Sequence, residues 1–131
     1  MPADIDDAPA PRAARSTCLG RHLIADFWSA RRCDDPDFVE RALAKAAHDA
    51  GATLLSVKTH HFGGAGGVTS VALLAESHIS IHSWPEHDYA ALDIFVCGDA
   101  DPFRALESLV ASFAPARVEH QHIGRGRRDH G

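Results

Sequence analysis

The sequence lacks the features that mark a membrane or a secreted protein. It contains no apolar run near the roughly 18 residues that a spanning helix needs, and no apolar segment of a secretion signal. We therefore expect neither a membrane partner nor export. The three cysteines, Cys18, Cys33 and Cys97, are odd in number and show no C-x-x-C spacing. A disulfide framework is not expected from this pattern, which favours the reducing cytoplasm.

Basic charge is also scarce. The chain has 13 Lys and Arg against 18 Asp and Glu, a formal net charge of −5 at pH 7, whereas a nucleic-acid-binding surface usually carries a basic excess. Ten histidines are present, but none belongs to the H-E-x-x-H pattern of a helical zinc site. We therefore expect no nucleic-acid partner and no metal.

The length of 131 residues suits one domain. Residues 1–17 are rich in Pro, Ala and Asp without periodicity, and we predict that they are disordered. Residues 18–124 are predicted to form the single domain. Residues 125–131, which contain three arginines, are predicted to be a solvated polar tail.

The pattern inside the domain predicts an α+β fold. Asp35-Pro36 and Asp101-Pro102 each supply an N-cap followed by a proline at the first helical position, and apolar residues recur at helical spacing after both. Alternating apolar residues, as in residues 89–97, predict strands elsewhere. The element order β-α-β-β-β-β-α-β, with hairpin-length links in the middle, predicts a two-layer sandwich. In it, two helices cover one face of a mainly antiparallel sheet.

The segment LLAESHISIHSWPEHDYAALDIFVCGD, residues 73–99, is unusual for a plain scaffold because polar groups follow an apolar strand directly. Taken singly, its residues have ordinary explanations. Ser77 would satisfy a backbone group at a strand end, His82 would be an exposed strand residue, and Cys97 a small buried side chain. A Ser–His hydrolase would place its serine in a G-x-S-x-G turn, but no glycine flanks Ser77.

Taken together, these residues resemble the small prokaryotic S-adenosylmethionine decarboxylases. The motif E-S-H-I-S-I-H-x-W-P-E is followed by a cysteine 20 residues after its serine, and shorter matches occur in family order over residues 18–128. The resemblance implies a homodimeric, self-processing enzyme of polyamine biosynthesis. Its chain would be cut between Glu76 and Ser77 into residues 1–76 and 77–131, and Ser77 would become a pyruvoyl group.

The resemblance also implies a role for each matching residue. The Ser77 hydroxyl would attack the Glu76 carbonyl, and a ketone made from Ser77 would form a Schiff base with the substrate amine and accept the electrons released by decarboxylation. No ordinary side chain offers such an electron sink. The remaining assignments are His82 as processing base, Thr69 as its assistant, Cys97 as the acid that protonates the product, and Phe62, Trp84 and Glu86 as substrate contacts.

Two departures from the family pattern concern the substrate. The turn in residues 62–70 is one residue longer than usual and lacks its proline, and Asp88 replaces a usual glycine. In the family, the phenylalanine of this turn, here Phe62, is expected to stack on the adenine of the substrate. An altered turn together with the added Asp88 carboxylate favours a compact diamine-like substrate, so L-ornithine or L-arginine is the alternative within the class. A processing-dead regulatory paralogue is the alternative outside it. We weigh loop drift above a change of specificity, and S-adenosylmethionine remains the expected substrate.

The spacing of the motif poses a geometric problem. Five residues of straight strand span about 16 Å, so His82 cannot reach Ser77 along one straight strand. Either the chain bends sharply near Ser77, or the relevant His82 belongs to a partner subunit. From the sequence we favour the bend.

Overall fold

The computed structural model of the chain describes residues 17–128, which fold as a six-stranded antiparallel sheet with two helices packed on one face. The strand order is β2-β3-β4-β5-β1-β6. The predicted α+β two-layer sandwich is thereby confirmed. The elements are β1 (Cys18–Trp28), α1 (Pro36–Asp49), β2 (Leu54–His61), β3 (Val68–Leu74), β4 (Ser77–Trp84), a 3₁₀ turn (Pro85–His87), β5 (Tyr89–Cys97), α2 (Pro102–Phe113) and β6 (Arg117–Arg127).

Both helices begin where the Asp-Pro pairs predict. The Asp35 carboxylate accepts a hydrogen bond from the Phe38 amide at 3.2 Å, and Asp101 accepts one from the Phe103 amide at 2.9 Å. Each bond satisfies an amide that has no partner within its own helix. The caps therefore set the two helix starts in agreement with the sequence.

The two faces of the sheet differ in composition because strand side chains alternate. One face packs on the helices and is mainly apolar, with Leu23, Ile79 and Ile94 at 0% exposure in one core with Leu43 and Phe113. No helix of the described chain covers the opposite face, which we call the open face. It carries half-exposed or exposed polar and aromatic side chains from all six strands.

The sheet also corrects the predicted ends of the domain. β6 continues to Arg127, and Arg125 lies opposite Gly20 of β1. The predicted polar tail is therefore wrong for residues 125–127, because pairing with β1 satisfies their backbone. The predicted disordered segment, apart from Thr17, lies outside the described residues.

The buried Ser83 hydroxyl connects the end of β4 to the β2–β3 turn, whose residues 63–67 include four glycines. Ser83 Oγ accepts a hydrogen bond from the Val68 amide at 2.9 Å and donates one to the Cys33 carbonyl at 2.7 Å. Gly67 packs so closely that a Cβ there would lie 1.9 Å from the Ser83 carbonyl oxygen. These contacts fix the relative positions of the β2–β3 turn, β4 and the β1–α1 loop.

We expect Ser83→Ala to lower the free energy of unfolding by ~1–3 kcal/mol, because it leaves a buried amide and a buried carbonyl without partners. Denaturant unfolding of the purified protein measures the loss. Ser80→Ala, a half-buried position on the open face of the same strand, is the matched control and should change stability much less. Equal effects of the two substitutions would contradict this account.

Candidate active site

The predicted cleavage position lies in a two-residue hairpin turn. Leu74 of β3 pairs with Ser77 of β4, so only Ala75 and Glu76 connect the strands. Glu76 has φ +60°, a left-handed conformation that costs a residue with a Cβ roughly 1–2 kcal/mol. The backbone is therefore strained at the residue that supplies the predicted scissile carbonyl.

Cys97, the last residue of β5, faces this turn. Its Sγ lies 3.4 Å from the Glu76 carbonyl oxygen and 3.7 Å from Ser77 Oγ. Ser77 is 9% exposed, and a groove of about 410 Å³ passes Glu76 and Cys97. We call Glu76, Ser77 and Cys97 the cleavage cluster, because the fold brings together these three residues from distant parts of the segment.

A second group forms where β3 begins and β4 ends. Thr69 lies directly opposite His82, and its Oγ1 is 3.1 Å from His82 Nδ1. The Trp84 ring lies 6.4 Å from that imidazole and stacks on Tyr89 at 5.4 Å. We call Thr69, His82 and Trp84 the base cluster.

The other predicted substrate contacts lie at this same end of the sheet. Phe62 follows β2, is 65% exposed and packs edge-on against His60. Glu86 is exposed on the 3₁₀ turn after β4. Asp88 is exposed in a left-handed conformation with φ 52°, which explains why a glycine also suits this position.

The two clusters do not meet within one chain. β4 runs unbroken from Ser77 to Trp84, and its pairing with β3 and β5 shows no register shift. The five residues from Ser77 to His82 thus span about 16 Å. The predicted bend between these residues is wrong, because the sharp turn lies before Ser77, at Glu76, and leaves β4 straight.

Sequence reasoning missed a polar network on the open face. The Asp93 carboxylate oxygen Oδ1 lies 2.7 Å from His22 Nε2 and 3.1 Å from His78 Nε2, and Arg125 lies 3.0 Å from His22 Nδ1. Alternation places each of these residues on the open face of its strand. Only the register of four strands, which the sequence does not reveal, brings them into contact.

Two polar groups near the base cluster, the buried Cys33 thiol and the half-buried Tyr89 phenol, are held in their neutral forms. Burial, with a smaller contribution from Asp34, raises the pKa of the Cys33 thiol to about 12. Burial and a 2.6 Å hydrogen bond to Asp26 raise the pKa of Tyr89 to about 12. Cys33 is therefore a packing residue, and Tyr89 remains a phenol that supports the Trp84 ring.

Residues 17–128 contain no group of three or more His, Cys, Asp or Glu side chains arranged to hold a metal ion. None of the helices in the same range is long and apolar enough to cross a membrane.

The α+β sandwich thus carries a strained hairpin turn at Glu76, a thiol 3.4 Å from the Glu76 carbonyl oxygen and a hydroxyl–imidazole pair. A family model described as S-adenosylmethionine decarboxylase matches residues 21–126. The chain belongs to this family.

Individual relatives agree with the family match. The chain is 41% identical over 114 residues to the S-adenosylmethionine decarboxylase proenzyme of Thermotoga maritima, covering 85% of this chain and 87% of the relative. It is 46% identical over 111 residues to the proenzyme of the same name from Methanococcus vannielii, covering 82% and 90%. The crystal structure of the adenosylmethionine decarboxylase from Aquifex aeolicus superimposes with a TM-score of 0.78 at 32% identity, covering 88% of this chain and 97% of that one.

We expect Glu76→Gly to stabilise the uncleaved chain by ~1 kcal/mol, because glycine adopts a left-handed conformation without the steric cost of a Cβ, offset in part by its greater chain entropy. The measurement is denaturant unfolding in a Ser77→Ala background, which cannot cleave. Glu76→Ala removes the same carboxylate but keeps the Cβ, so it should give no such gain. A gain shared by both variants would show that the carboxylate, and not the backbone, is responsible.

Proposed function

We propose that this chain is a proenzyme that cleaves itself between Glu76 and Ser77 and then decarboxylates S-adenosylmethionine, supplying the aminopropyl donor for spermidine synthesis. The observation that carries the proposal is the position of Cys97 Sγ, 3.4 Å from the Glu76 carbonyl oxygen and 3.7 Å from Ser77 Oγ. The names of the relatives support the same activity. All three cysteines are free thiols, in keeping with a reducing cytoplasm.

The proposed cleavage uses only side chains of this protein and water. Ser77 Oγ attacks the Glu76 carbonyl carbon, and the peptide bond is exchanged for an ester as the nitrogen takes up a proton. His82 of the partner subunit then removes the Ser77 Cα proton, and the Ser77 Cβ–Oγ bond breaks, which leaves dehydroalanine at residue 77 and releases residues 1–76 with a free carboxylate. Water replaces the nitrogen of the resulting dehydroalanine, ammonia leaves, and residue 77 becomes a pyruvoyl group.

The residues around Ser77 suit that group. The junction is strained, and Cys97 contacts the Glu76 carbonyl oxygen and Ser77 Oγ. After cleavage the thiol would lie beside the new terminus, where the decarboxylation step needs a proton donor. A pyruvoyl group supplies the electron sink for decarboxylation, which no side chain offers. Cys97 would then donate the proton that the substrate carbon takes up after CO₂ leaves.

The aromatic residues favour S-adenosylmethionine over a small amino acid. Trp84 is held by stacking on Tyr89, and Phe62 is exposed at the same end of the sheet. Both rings offer apolar surface to an adenine, and the Glu86 carboxylate offers acceptors to ribose hydroxyls. Asp88 is the residue that supports the alternative substrates, because its exposed carboxylate could pair with the distal cation of ornithine or arginine.

The separation of the two clusters supports a homodimer with shared sites. In each chain the cleavage cluster lies at one end of β4 and the base cluster at the other. A twofold axis that runs between facing open faces and perpendicular to β4 would reverse the partner's β4, and so bring the partner's base cluster to the Ser77 end of this strand. The open face also carries half-exposed apolar side chains, including Leu73 at 53% and Ile123 at 41%, which such a partner would cover.

We expect purified protein to run as two fragments, with intact masses of residues 1–76 and of residues 77–131 bearing an N-terminal pyruvoyl group. CO₂ release should occur with S-adenosylmethionine and not with ornithine, arginine or lysine. Release from a basic amino acid alone would reassign the substrate. An uncleaved chain that still releases CO₂ would refute the self-processing mechanism.

Cys97→Ala is the control that separates the two steps. It should still cleave, because the nucleophile and the base remain, but should turn over far more slowly because its proton donor is gone. Unchanged turnover would reduce Cys97 to a packing role.

Mixing two inactive variants tests the shared site. We expect Ser77→Ala and His82→Ala each to remain uncleaved alone. In a mixed dimer, the intact Ser77 of the His82→Ala chain meets the intact His82 of the other chain. After unfolding and refolding an equimolar mixture, random pairing should leave about half of the His82→Ala chains cleaved, as counted by intact-mass spectrometry. No cleavage in the mixture would place both residues in one chain's site.

A further inference from the structure

A chain of hydrogen bonds crosses the open face through four adjacent strands. It runs from Arg125 on β6 through His22 on β1 and Asp93 on β5 to His78 on β4. A guanidinium group can only donate, so His22 Nδ1 accepts from Arg125. The hydrogen of the His22 ring is therefore on Nε2, where it is donated to Asp93 Oδ1. His78 Nε2 donates to the same oxygen, so the donor and the acceptor of each hydrogen bond in the network are assigned.

Packing reinforces these bonds. The Phe95 ring stacks on His78 at 5.9 Å and meets the edge of His22 at 5.6 Å, so it separates the two imidazoles that share Asp93. Gly20 makes room for that ring, since a Cβ at this position would lie 2.6 Å from Phe95 Cζ. His78 is therefore held both by its hydrogen bond to Asp93 and by the Phe95 ring.

His78 matters because of where the chain is cut. His78 follows Ser77 directly. The proposed cleavage makes residue 77 the first residue of a new chain. Strand ends without a covalent continuation fray unless side chains hold them. His78 is the first side chain of β4 on the open face, and it is the one that the network holds.

We propose that Arg125, His22, Asp93 and His78 form a positioning network that holds the start of β4 in place after cleavage and so keeps residue 77 beside Cys97. This inference rests on the proposed self-cleavage. None of the four residues is assigned to the bond-making steps. Before cleavage the covalent turn performs the same task, and the network becomes necessary only when that turn is cut.

The test is amide hydrogen exchange of residues 78–81, measured by mass spectrometry in cleaved protein and in the uncleavable Ser77→Ala background. Asp93→Ala should cleave, and its cleaved form should exchange about 10- to 100-fold faster in this segment, because two hydrogen bonds to a charged group are lost. The same substitution in the Ser77→Ala background should exchange close to the rate of its parent. In turnover assays, kcat of Asp93→Ala should fall about 100-fold with KM little changed, as expected when the reacting group is misplaced by about 1 Å.

Two further variants keep the test decisive if Asp93→Ala folds poorly. His78→Gln retains a side-chain N–H donor toward Asp93 and should keep the protection, whereas His78→Ala should lose it in cleaved protein only. Ser80→Ala, on the same face of β4, is the matched control and should resemble the wild type throughout. Full protection in cleaved Asp93→Ala or His78→Ala, loss in the uncleaved background, or failure of Asp93→Ala to cleave would each overturn the inference. An uncleaved wild-type chain would instead refute the proposed function, and this inference with it.

Discussion

The straightness of β4 is the constraint on which the rest of this molecule depends. A strand advances about 3.3 Å per residue, and β4 pairs without a register shift on both sides. The hydrogen-bond ladders that stabilise the sheet therefore also keep Ser77 and His82 apart. A single chain therefore cannot bring the proposed nucleophile Ser77 and the proposed base His82 together, which is the reason for proposing a site shared by two subunits.

The two faces of the sheet have different tasks: the helix-facing side stabilises the fold, and the open face carries the proposed functional groups. The helix-facing side of the sheet is filled by fully buried apolar residues, which supply most of the driving force for folding. That arrangement leaves the other face free to carry histidines, carboxylates, a thiol and aromatic rings at half exposure. Cys97, His82, Thr69 and Trp84 all lie on this face, because each occupies the outward phase of its strand.

The hairpin turn before β4 has a strained backbone at Glu76 and a polar network beside it at His78. The left-handed Glu76 stores backbone energy at the bond that is proposed to break. The polar network through Asp93 reaches His78, two residues after Glu76, and is proposed to hold the start of β4 once the turn is cut. Ser83 and Gly67 perform a comparable task at the other end of β4, where they fix the base cluster against the glycine-rich turn.

The sequence by itself determined the element order, the two Asp-Pro helix starts and the face of each strand, because caps and apolar alternation are local properties. It also determined the family, since the E-S-H-I-S-I-H-x-W-P-E motif needs no fold to be recognised. Only the tertiary structure decided that β4 is straight and that β6 extends through Arg125. Strand register and the His22–Asp93–His78 contacts also belong to the tertiary structure, because they depend on pairings between distant residues, as far apart as Cys18 and Arg127. Local patterns carry no information about which strands lie side by side.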